Sequence, residues 1–202
     1  MEKMILKKKV LVFLLLFVSS ILLTACKNDD TYKLAKQIDE YKLSGEGYAE
    51  TLEMARKGNY DAGCEDCFKG KDAKKESLFA FACSVDFEIA KAVYENGADI
   101  DSSNPEFFKT PLLAAIEGNR NNPDIVYWLI SEGADINAVS YNKASVFQYL
   151  RFWDDNSDTQ ELIKYFKEHC DMEYLKESTE GTLLCSWDDL WDADGEFNFY
   201  EH

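Results

Sequence analysis

Histidine is almost missing from this chain: His169 and His202 are the two present among 202 residues. That scarcity removes most imidazole-based metal binding and acid–base chemistry. Basic residues are in short supply as well. Lys and Arg total 22 against 38 Asp and Glu, giving a formal net charge of −16. A polyanion without a clustered Lys/Arg stripe repels phosphate backbones, which excludes nucleic acid as a partner. Gly-x-Ser-x-Gly, a phosphate-cradling glycine loop, His-Glu-x-x-His and a Ser/His/Asp set are all lacking. Carboxylates are so plentiful that accidental pairs are the default, and none stands out as a catalytic acid. Neither an enzyme activity nor a metal, cofactor or other small-molecule ligand is therefore expected. What is present suffices for a fold: hydrophobics make up 46% and aromatics 14%, enough for a packed core in one domain.

The first 25 residues differ from the rest. Met1 to Lys9 is basic, and Val10 to Leu23 is apolar but for Ser19 and Ser20. A run this short falls below the roughly 20 residues of a membrane-spanning helix and fits a signal peptide instead. The run ends on Leu23-Thr24-Ala25-Cys26, which resembles the lipobox of bacterial lipoproteins. The resemblance implies that Cys26 becomes the mature N-terminus and carries acyl chains, palmitate among them, as a membrane anchor. Lys27 to Thr31 is polar and reads as a tether. Lys27, rather than Asp, after the cysteine implies the outer membrane wherever the cell has one.

Beyond the tether the chain repeats itself. Gly97-Ala98-Asp99-Ile100-Asp101 recurs 36 residues later as Gly133-Ala134-Asp135-Ile136-Asn137. Thr110-Pro111-Leu112-Leu113-Ala114-Ala115 precedes the second copy, and Asp124 to Ile130 leads into it. This pattern resembles the ankyrin repeat. A looser copy has Glu76-Ser77 where Thr-Pro would stand, then Leu78, Ala82, Glu88-Ile89 and Gly97. A later one runs from Ser145-Val146-Phe147 to His169-Cys170-Asp171. Weaker traces lie upstream at Leu52, Ala55 and Gly58, and downstream at Gly181-Thr182-Leu183-Leu184, where one more repeat is expected to start. Pro111 suits a helix start, and Ile125, Val126, Leu129 and Ile130 form one apolar helix face. Gly133 fits a left-handed helix end. Leu34, Ile38 and Tyr41 predict an N-terminal helix over Lys33 to Leu43.

Two further motifs invite chemistry. Cys64-Glu65-Asp66-Cys67 is a Cys-x-x-Cys pair, but the strand and βαβ setting of a thioredoxin-like site is lacking. Setting Cys26 aside, five cysteines remain (Cys64, Cys67, Cys83, Cys170 and Cys185). One structural disulfide, all-thiol, and redox or metal use stay open; Cys83 and His169 offer no second short ligand spacing for zinc. In the tail, Asp192, Asp194, Gly195 and Glu201 fall at positions 3, 5, 6 and 12 of an EF-hand-like loop. Position 1 is Leu190, which has no ligand oxygen. The tail reads instead as an acidic, Trp-bearing cap.

Together these features predict an all-α ankyrin-repeat solenoid of stacked helix pairs, about four repeats with degraded caps. The expected divisions are a lipoprotein signal peptide (1–25), a tether and N-terminal helix (26–46), an ankyrin-repeat domain (47–185) and an acidic C-terminal cap and tail (186–202). The expected function is that of an extracytoplasmic, lipid-anchored protein that holds a protein partner, basic by charge complementarity, on its concave face. It would sit on the bacterial cell membrane or outer membrane, facing periplasm or exterior. The candidate contacts are Phe107, Phe108 and Tyr141 on the turns between helix pairs, with Glu117 and Arg120 at the end of an inner helix. Two narrower expectations stand beside this one: an immunity lipoprotein that neutralises a secreted toxin, and an envelope redox or stress accessory using Cys64 and Cys67.

Overall fold

The computed structural model describes residues 30–65, 67, 76–104 and 109–199. Among them the regular structure is helical: residues 30–44 (α1), Tyr48–Lys57 (α2), Leu78–Cys83 (α3), Phe87–Glu95 (α4), Pro111–Gly118 (α5), Pro123–Ser131 (α6), Val146–Leu150 (α7), Ser157–His169 (α8) and Met172–Ser178 (α9). A single 3₁₀ turn follows at Asp188–Leu190. Helices α3, α5 and α7 pack in succession as an inner layer, each paired with an outer helix: α4, α6 and α8 respectively. This is an all-α ankyrin-repeat solenoid.

Each of α3, α5 and α7 starts on a hydroxyl cap. Ser77 accepts from the Ala80 N–H, Thr110 from Leu113 and Ser145 from Phe147, which satisfies donors that a helix start leaves unpaired. The caps correct the register read from sequence: Ser77, not Glu76, stands in the place of Thr110. Pro111 occupies the first turn of α5, and Gly97 and Gly133 close the outer helices at φ near +96° and +95°. None of these helices is long enough to persist alone. Leu112, Leu113, Ala114, Ala115 and Ile116 of α5 are all fully buried. Burial of each large aliphatic side chain contributes on the order of 1.5–3 kcal/mol, so stacking carries the stability.

The turns that join the units are stitched at the repeat period. The Asp101 carboxylate accepts the Asp135 N–H at 2.9 Å, and the Asn137 side-chain carbonyl accepts the Asp171 N–H at 2.7 Å, each across 34 residues. Within each turn Asp99 and Asp135 accept from the N–H two residues on, the local bonding that favours Asp in turns. The outer layer is joined by rings: Trp128 of α6 lies 5.5 Å from Tyr94 and 5.4 Å from Phe87 of α4.

Both ends depart from the sequence-based boundaries. The helix expected over Lys33 to Leu43 begins by residue 30, with Leu34, Ala35 and Ile38 fully buried. Lys42 lies 5.5 Å over the Phe81 ring and donates to Ser84 Oγ at 3.3 Å, so α1 stacks on α3 as an inner helix while α2 packs on α4. Thr31, placed in the polar tether by its composition, is 2% exposed and accepts the Asp61 N–H at 2.7 Å. At the other end, no α-helix follows Gly181-Thr182 among the described residues; Leu183 is 86% exposed and α9 has already formed upstream, capped by Asp171. In place of another helix pair, the tail turns back. Trp191 pairs with Phe197 across an antiparallel bridge, and Trp187, Trp191 and Phe197 surround Phe147 of α7 at 5.8, 5.5 and 6.4 Å. Lys167 caps this cluster 4.5 Å over Trp191.

Candidate functional site

The inner helices and the turns before them form one edge of the stack, and its centre is Lys109, immediately ahead of the Thr110 cap. The ammonium lies 3.0 Å from a Glu76 carboxylate oxygen of the preceding unit and also pairs with Glu117 of α5. Its side chain is 14% exposed and that of Glu76 21%. Burial works against the charge, but the two carboxylates more than compensate and raise the lysine pKa. Sequence reasoning named Glu117 but overlooked its partner; a lysine next to a helix-capping threonine was the available signal.

A second polar group adjoins the first. The Tyr149 hydroxyl donates to Ser140 Oγ at 3.3 Å and to Asn142 Oδ1 at 3.4 Å, on the turn that carries Tyr141. Burial raises the Tyr149 pKa, and Glu117 and Lys109 both act on it electrostatically. Lys143 donates to the Glu180 carbonyl at 2.8 Å, and Thr182 donates to the Asn142 carbonyl at 3.0 Å, so this turn is fastened to the segment after α9. Tyr141 is 55% exposed. The polar line therefore runs from Glu76 through Lys109, Glu117 and Tyr149 to the flanks of Tyr141.

The other candidates fall elsewhere. Arg120 lies past the end of α5, its guanidinium 5.5 Å over the Phe152 ring, at the turn that leads to the outer layer. There Asn121 is bonded to Asp154 in both directions, at 2.7 and 2.8 Å. Phe107, Phe108 and Cys26 lie outside the described residues.

Cys64 and Cys67 are joined as a disulfide. Cys67 is 3% exposed, the Cys64 carbonyl accepts the Leu78 N–H at 2.9 Å, and the Glu65 carbonyl accepts from Asn104 at 2.9 Å. The disulfide closes this turn, and the two backbone carbonyls fasten it to the second unit. The remaining thiols are held protonated: burial raises Cys83 well above the ordinary value and pushes Cys170 up to about 12, with Asp135 adding to the latter. Burial raises Cys185 too, against an opposing contribution from Arg151.

In the tail, Asp192 Oδ1 accepts the N–H groups of Asp194 and Glu196 at 2.9 and 2.8 Å. That oxygen serves the turn. Among the described residues no group of three or more His, Cys, Asp or Glu is placed to hold a metal ion, and no helix is long and apolar enough to cross a membrane. A cleft of about 490 Å³ between α8 and the tail is lined by Gln160, Glu161, Ile163, Lys164, Lys167, Glu196 and Phe197. Its walls carry no hydroxyl or thiol.

Stacked helix pairs on hydroxyl caps, with turns along one edge, make a helical repeat scaffold. One family model matches part of the chain: the ankyrin repeat, over residues 108–141, which take in Lys109, the Thr110 cap, α5, α6 and the Asp135 turn. No curated protein matches the chain. Ankyrin-repeat proteins are typically scaffolds for protein–protein interaction rather than enzymes.

Proposed function

We propose that the protein is a bacterial lipoprotein, anchored through acyl chains on Cys26, that holds a protein partner on the concave edge formed by its inner helices and turns. The observation that carries this reading is the line from Glu76 through Lys109, Glu117 and Tyr149 to Tyr141. It combines a partly buried charge cluster with an exposed aromatic side chain, the composition of interface anchors. Phe107 and Phe108 precede the Thr110 cap in the sequence and are the further aromatic candidates for the contact. The excess of carboxylates favours a basic partner through steering. A secreted toxin held by an immunity lipoprotein is the narrower form of the same reading.

The test is capture from intact cells by crosslinking. Wild-type protein should retain one specific partner, and a Phe107→Ala/Phe108→Ala/Tyr141→Ala variant should lose it while keeping its helicity and melting temperature. Losing two anchors would cost on the order of 4 kcal/mol, roughly a thousandfold in affinity. Undiminished capture by a folded triple variant would refute the site. Cys26→Ala, run alongside, should leave the protein unprocessed and without acyl mass. A Cys64→Ser/Cys67→Ser variant that stays folded should still capture the partner, since only the redox alternative requires those sulfurs for activity.

A further inference from the structure

We infer that the first unit, α1 with α2, is the membrane-facing end of the protein and lies against phospholipid headgroups, while the rest of the array stands away from the bilayer. This rests on the anchoring at Cys26 proposed above. The first observation is the length of the tether. Thr31 is buried and bonded to the Asp61 N–H, so the fold has begun by residue 31. Four chain steps from Cys26 to Asp30 span at most about 14 Å even when fully extended. Asp30, Leu34, Met54, Lys57, Asn59 and Tyr60 line one cleft, which places the start of α1 beside the end of α2. The short tether therefore brings this end of the unit to the lipid. Inner helices pack at about 8–10 Å, so α7 lies about 25–30 Å further along the stack.

The second observation is charge. Residues 30–57 hold five basic and six acidic residues, a net of −1, whereas residues 58–202 hold twelve basic and 30 acidic, a net of −18. Nearly the whole excess charge thus lies beyond the first unit. An anionic leaflet repels that distal part and tolerates the near-neutral end. Tether and charge together fix one orientation: first unit down, acidic units out. Any partner bound on the edge around Lys109 is then met within a few tens of ångströms of the bilayer, which suits a membrane-embedded or membrane-attacking protein.

The experiment uses the acylated protein in phosphatidylcholine vesicles containing phosphatidylglycerol, labelled with a bulky membrane-impermeant amine reagent and read lysine by lysine by mass spectrometry. Lys33, Lys36 and Lys57 of the first unit are 56, 62 and 60% exposed, and Lys176 of α9 is 61% exposed, so the fold alone gives them similar access. On vesicles the first three should label roughly fivefold or more slowly than Lys176, because the tether holds the start of the unit, at Asp30, within about 14 Å of lipid and Lys176 belongs to its far end. Inserting about 20 Gly/Ser residues between Asn28 and Asp29 adds a mean reach of about 25 Å and should restore their labelling. Equal labelling of all four in protein that carries acyl mass and floats with the vesicles would overturn the orientation and leave the anchor standing. Equal protection of Lys176 would overturn it too, since the array would then lie flat. Protein that neither carries acyl mass nor floats would remove the anchor, and the orientation with it.

Discussion

Gly118 closes α5 where that helix crosses the end of α3, and replacing it with alanine tests how tightly the inner layer is stacked. A Cβ added at Gly118 would sit 2.3 Å from the Ser84 carbonyl oxygen, 2.6 Å from its Cβ and 2.7 Å from its Cα. Two of these are backbone atoms, so no side-chain rotation relieves the overlap, and the helix ends must separate by about 1 Å to restore van der Waals contact. Intrinsic propensity acts the other way, favouring alanine over glycine in a helix by about 1 kcal/mol. Overpacking of this kind costs about 1–3 kcal/mol and more when backbone has to move. The separation would also strain the Asn119 side-chain bond to the Cys83 carbonyl and the 2.7 Å bond from the Trp153 indole N–H to the Ile116 carbonyl. The net expectation for Gly118→Ala is a loss of about 2 kcal/mol, or about 4–8 °C in melting temperature for an array of this size. Gly63→Ala is the control: its added Cβ would meet nothing nearer than 3.6 Å, and its melting temperature should stay within about 2 °C of the parent. Thermal melts followed by circular dichroism at 222 nm decide the matter. If Gly118→Ala melts at or above the parent temperature, α3 and α5 are not in backbone contact and the packing argument fails.

Three further outcomes are expected. Lys109→Met should lower stability by about 1–2 kcal/mol in urea titration, because it leaves Glu76 and Glu117 facing each other; the partial exposure of both keeps the cost below that of a fully buried pair. A second change, Glu76→Gln, should recover part of that loss, and no recovery would mean that the ion pairing contributes nothing. Burial pushes the Tyr60 hydroxyl up to about 12, against a smaller opposing effect of Asn96. Because this folded pKa exceeds the unfolded value near 10, stability should hold below pH 10 and fall between about pH 10 and 12; Tyr60→Phe should flatten that fall, and an unchanged slope would refute the assignment. Of the five cysteines beyond Cys26, iodoacetamide should label three in denaturant without reductant and five with it. In the folded protein at pH 8, Cys170 should react about a thousandfold more slowly than an ordinary thiol. Labelling of all five without reductant would exclude the Cys64–Cys67 disulfide.

The central repeat was legible in the sequence because its decisive features are local. Thr110-Pro111 writes a capped helix start, Ile125, Val126, Leu129 and Ile130 write one apolar face, and Gly133 writes a turn that requires positive φ. These dictate a helix pair wherever they occur, and the all-α stack follows because one pair cannot bury its own apolar face. Tertiary structure decided what depends on neighbours far away in the chain. Ser77 could be set as the partner of Thr110 only once α3 and α5 lay side by side, since a serine caps equally well in any register that places it before a helix. Thr31 reads as tether by composition, yet its hydroxyl is consumed by Asp61 across 30 residues. A place beside the Thr110 cap marks the position of Lys109, but its role arises only because Glu76 and Glu117 converge on it from two units. The C-terminal tail contains a repeat-like Gly181-Thr182-Leu183-Leu184, but Trp187, Trp191 and Phe197 cover Phe147 first. Burial of those rings ends the array where the local pattern would have continued it, because an apolar helix face is satisfied by whichever surface reaches it.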